Sequence, residues 1–301
     1  MWALHCCGCL FERLSLRRGH EAHDLAMSDI PPGEDDYRKL SVRIRDDAVQ
    51  LQSVPFQGAI GSPIEDDNRY LRTVPVSQSV QEFVRVLLES AIDNLGLVAD
   101  TLNTVGAQHL YAENSLIRTS LTGASFALWI LNDNDPNVRR ARVLRLAFKN
   151  MDGLASYFAS STALNPEFLE GIDSFQESIV KNANILESEE RSVTKYRNYR
   201  PKTSDPTKIW HSDTAVVGYA GRVIEAPDLL STWQFMSGYA HSHLWTVVVN
   251  SIETAQHNRM HGFIIPTRAP NPRQLVAASN LALTVVEKAV ERFIALSHPA
   301  T

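Results

Sequence analysis

SVQEFVRVLLESAIDNLGLVADTL, residues 79–102, decides the fold class. Its apolar positions Phe83, Val84, Leu87, Leu88, Ile92, Leu95, Val98 and Leu102 recur at helical intervals. That is the period of a helix with one buried stripe, not the alternation of a strand. Ser79, with Glu82 three residues later, has the spacing of a capping box, and the pattern predicts a helix over 77–104.

The same period returns along most of the chain. Ala107–Leu131 contains LYAENSLIRTSLTGASFALWIL, whose second half carries almost no polar surface, so it reads as a buried central helix. Gly123, Ala124 and Ser125 are small and predict that another helix crosses closely there. Arg118 is the one cation of this helix; it either snorkels to the surface or pairs with an acid or phosphate inside. Asn132-Asp-Asn-Asp-Pro136 is a turn followed by a proline at the first helical position. The helix it opens, 136–158, carries Arg139, Arg140, Arg142, Arg145 and Lys149, read as a solvated face. Asn165-Pro166 opens a helix over 166–190, and the last helix spans 272–297.

Residues 191–212 read as a basic linker. Its stretch RSVTKYRNYRPKTSDPTKIW holds six Lys/Arg against one Asp. Cations interleaved with Tyr196, Tyr199 and Trp210 can track a nucleic-acid backbone, but a polar loop between helices is the favoured reading. Upstream, PPGEDD, VPF, GSP and VPV mark 28–76 as an irregular leader, with one short helix or strand near Tyr37–Leu51. Residues 1–27 read as a disordered tail or a mis-assigned start, because Met27 followed by SDIPPGEDD is a more natural beginning.

Composition narrows the function classes. The chain has 301 residues, 44% hydrophobic and 21% charged, with a net charge of −5. No global basic field invites nucleic acid or a membrane surface. No apolar run reaches the length of a membrane span. Cys6, Cys7 and Cys9 lie in the first nine residues, so the folded body lacks cysteine and fits a reducing, cytoplasmic setting. Their spacing, with His5 and His20, is not that of a zinc knuckle. GxGxxG, P-loop, H-E-x-x-H and G-x-S-x-G motifs are absent, and no cofactor is expected.

The densest chemistry lies in LLSTWQFMSGYAHSHLWTVVVN, Leu229–Asn250, read as a helix continuing to about His257. His241 would sit among Trp233, Tyr239 and Trp245 as a general acid or base, or as a core histidine bonded to the backbone. Ser237 lies four residues before it, one helical turn away, and Arg118 is the candidate third member. Glu253, His257 and His261 are spaced four apart and would line one helix face as metal ligands, with His241 and His243 able to complete the set. Met260–Thr267 reads as a short strand or an extended strap.

Two segments together, SLIRTSLTGASFALWIL and WQFMSGYAHSHLW, resemble uncharacterised bacterial all-helical proteins. Those proteins pair an Arg/Trp helix with a later Ser-x-x-x-His segment and are distantly similar to HEPN-like ribonucleases. The resemblance covers about residues 77–297 and implies a helical bundle in which an Arg shortly before a His cleaves RNA as a dimer. Thr122 stands where the family has Glu, and an Arg-x5-His spacing falls at Arg292 and His298.

The expectation is an all-α bundle of about six or seven helices behind an irregular leader. Its expected function is binding or self-association, with a homodimer as the simplest partner. An HEPN-like ribonuclease or nucleic-acid-associated protein and a metal-dependent hydrolase are the alternatives.

Overall fold

The computed structural model describes residues 34–74, 78–104, 109, 111–159, much of 171–186, 212–246, 252–260, 263–269 and 272–299. The fold is all-α, as the periodicity predicts. The named helices are α1 (Glu34–Ser53), α2 (Pro63–Leu71), α3 (Val80–Thr104), α4 (Ala112–Leu131) and α5 (Pro136–Ala159). Then come α6 (Asp213–Val223), α7 (Leu229–Ala240) and α8 (Pro272–Ser297), with further helical turns between 171 and 186. An antiparallel hairpin, β1 (Ile252–Met260) and β2 (Phe263–Ala269), separates α7 from α8.

Helix α4 is the central helix, packing against α3, α5, α6, α7 and α8. Its sequence dictates this: Ala124 through Leu131 are all buried, so no face is left for water. The small-residue run does mark a close crossing. A Cβ on Gly123 would lie 2.8 Å from the Leu87 carbonyl oxygen of α3, and the Ser120 hydroxyl donates to the Ala91 carbonyl at 2.9 Å. The start of α3 is the expected capping box. Glu82 accepts from the Ser79 backbone N–H at 2.6 Å, and the Ser79 hydroxyl accepts from the Glu82 N–H at 3.3 Å.

The leader is not irregular: α1 and α2 occupy most of 34–71. Helix α1 buries a narrow apolar line, Leu40, Ile44 and Leu51, with Ser41 beside it among charged residues, too thin a stripe to stand out in sequence. Helix α2 begins at the GSP read as loop; Ser62 is its N-cap, accepting from the Glu65 N–H at 3.2 Å, and Pro63 takes the first helical position. The 191–212 linker lies outside the described residues except for Ser212, which caps α6 by accepting from the Ala215 N–H at 3.2 Å. The 1–27 tail also lies outside them.

The basic residues of α5 are the largest departure. Arg139 and Arg142 are buried, not solvated. Arg139 donates to Asp67 of α2 at 2.7 Å and to the carbonyls of Asp133 and Asn134. Arg142 donates to the Trp129 carbonyl and to Asp133, with its guanidinium 5.0 Å from the Tyr219 ring centre. The turn 132–135 is therefore enclosed by arginines.

Arg43 ties α1 to α8 through two-point contact with Glu287, at 2.8 and 2.9 Å, and a 2.8 Å bond to Asn280. Asp47, one turn along α1, is less well served. Its Oδ2 is enclosed and meets no donor among the described residues. Burial, with Glu287 adding repulsion and Arg43 opposing, pushes its carboxyl from the ordinary 3.8 up to about 6. A carboxyl raised on folding contributes stability below its unfolded value and loses it as pH rises through the folded one. Asp47→Asn should thus raise the unfolding free energy at about pH 7 by roughly 1 kcal/mol, discounted for this half-buried site, and change it little at about pH 4. Urea unfolding at both pH values measures the difference.

Candidate functional site

The geometry of the Leu229–Asn250 stretch is set by where its helix stops. The prediction runs the helix to about His257; it ends at Ala240. His241 is the C-cap, Ser242 adopts a left-handed φ of 56°, and the His243 N–H returns to the Gly238 carbonyl at 2.8 Å. The Ser242 N–H bonds the Tyr239 carbonyl at 2.9 Å, which completes a Schellman motif with serine at the position glycine usually fills. Gly238 permits the reversal. A Cβ there would overlap the Thr246 methyl and approach the Trp245 ring to 2.9 Å.

Two of the three predicted site residues meet. Arg118 of α4 donates from Nε to the Ser237 hydroxyl of α7 at 2.8 Å, and its guanidinium lies 5.3 Å from the Trp233 ring centre. The Trp233 indole N–H donates to the Thr122 hydroxyl at 2.8 Å, and that hydroxyl donates to the Arg118 carbonyl at 2.8 Å. Residues 118, 122, 233 and 237 thus form one polar seam between α4 and α7. Thr122 serves as acceptor for the indole. Among the described residues no carboxylate pairs with Arg118. The choice between snorkelling and pairing resolves as a third arrangement, a hydroxyl bond under an aromatic face.

His241 is not the shielded histidine that the sequence suggests. It is exposed, with its ring 5.9 Å from that of His243. Trp233 packs over Arg118 instead, and Tyr239 is buried with its hydroxyl on the Thr246 carbonyl at 3.2 Å. Burial, and then Tyr111, raises the Tyr239 phenol above its ordinary range. Ser237 receives its side-chain bond from Arg118, and what joins it to His241 is the backbone bond from the His241 N–H at 3.0 Å. Nucleophile and base are not paired.

The metal reading loses its helix. Glu253 and His257 lie in β1, opposite Arg268 and Pro266, with a register irregularity between them, and His261 is outside the described residues. Among the described residues no cluster of three metal-binding side chains occurs. Arg292 of the Arg-x5-His spacing is committed to the central turn, donating to the carbonyls of Leu131 at 3.1 Å and Asp133 at 3.2 Å; His298 is exposed. The 191–210 stretch proposed for nucleic acid lies outside the described residues. No described helix is long and apolar enough to cross a membrane.

Sequence reasoning missed what lies beside the seam. Tyr111 packs edge-on against Tyr239 at 5.9 Å, and Phe235 does the same against Tyr239 at 5.3 Å and Trp245 at 5.5 Å. Leu244 and Trp245 then stand 75% and 49% exposed, next to His241 and His243. Only the position of the helix end reveals this lip. Glu113, buried at the start of α4, was also missed; it accepts from the His109 backbone N–H at 2.9 Å and faces its Nδ1 at 3.0 Å. No protein-family model, no curated protein and no solved structure matches the chain.

The seam predicts an order of mutational effects. Thr122→Val keeps the shape but leaves the indole N–H of buried Trp233 unpaired, and should cost about 1–3 kcal/mol. Ser237→Ala releases a partly exposed Arg118 that water can satisfy, and should cost no more than about 1 kcal/mol. Urea midpoints at unchanged slope give both values.

Proposed function

We propose that the protein acts by binding, and that it self-associates through the lip at the end of α7. The observation that carries this reading is the contrast along one segment. Its inner polar groups, Ser237 with Arg118 and Trp233 with Thr122, are satisfied by each other. Its outer end presents Leu244, Trp245 and, just ahead of α4, Tyr111 to solvent. Leu244 and Trp245 stand at the start of a further helical segment (244–246) just after the turn, and exposed aromatic and aliphatic side chains fixed in this way are the usual anchors of protein interfaces. Neighbouring apolar residues left at a surface mark a contact site. The lip carries no Asp, Glu, Lys or Arg between 241 and 246, so a second copy can meet it without like-charge repulsion. A packed polar seam behind it keeps the anchors in place, which lowers the ordering cost of association.

Sedimentation velocity over a micromolar concentration range tests this. The protein should dimerise, and Leu244→Asp and Trp245→Asp should each leave it monomeric with little change in melting temperature. A protein that stays monomeric throughout, or a dimer insensitive to both substitutions, would refute the reading.

A further inference from the structure

Among the described residues, helix α3 has a second face that stays largely exposed. Its buried stripe, including Val84, Leu88, Leu95 and Val98, packs into the core. On the other side Val86, Glu89, Ser90, Asp93, Leu97 and Asp100 recur at intervals of three and four residues, which places them on one face. This face lies beside α1 and walls a groove of about 910 Å³ whose α1 side is Ala48, Leu51 and Gln52. Val86 and Leu97 are 60% and 54% exposed, although both are aliphatic. A Cβ built on Gly96 meets nothing, and with Ser90 and Ala48 it keeps the floor small enough for another backbone to approach.

The charge of the groove has one sign. Glu89, Asp93 and Asp100 line it, and no Lys or Arg does. Arg85 and Arg45 reach Glu89 and Asp100 only at 3.3 and 3.5 Å, with every member of these pairs more than half exposed. Such pairs contribute little and yield readily to a competing cation. Asp93 has no cation partner among the described residues.

We infer that this groove binds an amphipathic helix with Lys or Arg along its polar edge, supplied by a partner protein. The dimensions fit. Val86 to Asp100 spans about 21 Å at a helical rise of 1.5 Å per residue, about four turns. Apolar side chains of the incoming helix would sit between Val86 and Leu97 over the small floor, and its cations would face the three carboxylates. This is helix-in-groove recognition, with apolar anchors at helical spacing and charge setting the orientation. A second copy of the chain is disfavoured because the acidic face would meet itself. RNA is disfavoured because the sign is wrong. The site is separate from the lip at the end of α7, and either can fail without the other.

Fluorescence anisotropy with the full-length chain tests the inference. The probe is a labelled helical peptide of about 15 residues with Leu on one face and Lys on the other, long enough to fill four turns. The controls are the same peptide with Glu for Lys, and a scrambled Lys/Leu peptide lacking an apolar face. Saturable micromolar binding is expected for the first peptide alone, falling with added salt. Asp93→Lys and Leu97→Asp, both surface changes checked for unaltered helicity, should each weaken it about tenfold or more. Leu244→Asp, on the lip, should leave it unchanged. Absence of binding, equal binding of the scrambled peptide, or indifference to both groove substitutions overturns the proposal. So does a dimer of the chain that Asp93→Lys dissociates, which would assign the groove to a second copy.

Discussion

One enclosed carboxylate holds the centre of this bundle. Asp67, on α2, is fully buried, and Arg139 and Arg140 of α5 both donate to it, at 2.7 and 2.9 Å. Burial pushes the Asp67 carboxyl up, and Arg139 and then Arg140 draw it back toward ionisation. Removing these charges from water is costly, and only multiple hydrogen bonds offset the cost. The structure supplies them. Arg139 also donates to carbonyls of the 132–135 turn, Arg142 and Arg292 grip the same turn, and the Tyr219 hydroxyl donates to the Asn132 carbonyl at 2.6 Å. The C-terminal carbonyls of α4 are thereby satisfied by cations, the charge its dipole favours. Helices α5, α6 and α8 meet the end of α4 at this turn through Arg139, Arg142, Tyr219 and Arg292, and α2 joins them through Asp67.

That dependence explains which parts of the fold the sequence reveals. Helices α3, α4, α5 and α8 are legible because each carries a wide apolar stripe with a cap, a proline or a turn at its start. The close crossing at Gly123 is legible because small residues interrupt a large-residue run. The burial of Arg139 is not legible. Its partner Asp67 lies 72 residues earlier, and an arginine-rich helix face is ordinarily a solvated one. Helix α1 hides for the opposite reason, since its stripe is narrow and its charges dominate.

The site was half legible. The fold brings Arg118 to Ser237, where the two are hydrogen-bonded to each other. A residue pattern cannot show that Ser242 takes a left-handed turn, and that turn removes His241 from the aromatic cluster. Once the helix ends at Ala240, Glu253 and His257 fall in β1 and not on a helix, and Leu244 and Trp245 come to the surface. The same turn that takes His241 out of the aromatic cluster leaves Leu244 and Trp245 exposed.

A double-mutant cycle on the central pair tests this account most directly. Urea unfolding of Asp67→Leu, Arg139→Met and the double variant gives the coupling energy. Asp67→Leu leaves the buried Arg139 without a carboxylate and should cost about 3–5 kcal/mol, Arg139→Met leaves Asp67 with Arg140 alone and should cost less, and the double variant should lose at least about 2 kcal/mol less than the sum. Losses that add to within about 0.5 kcal/mol would contradict the claim that this buried pair holds the bundle together.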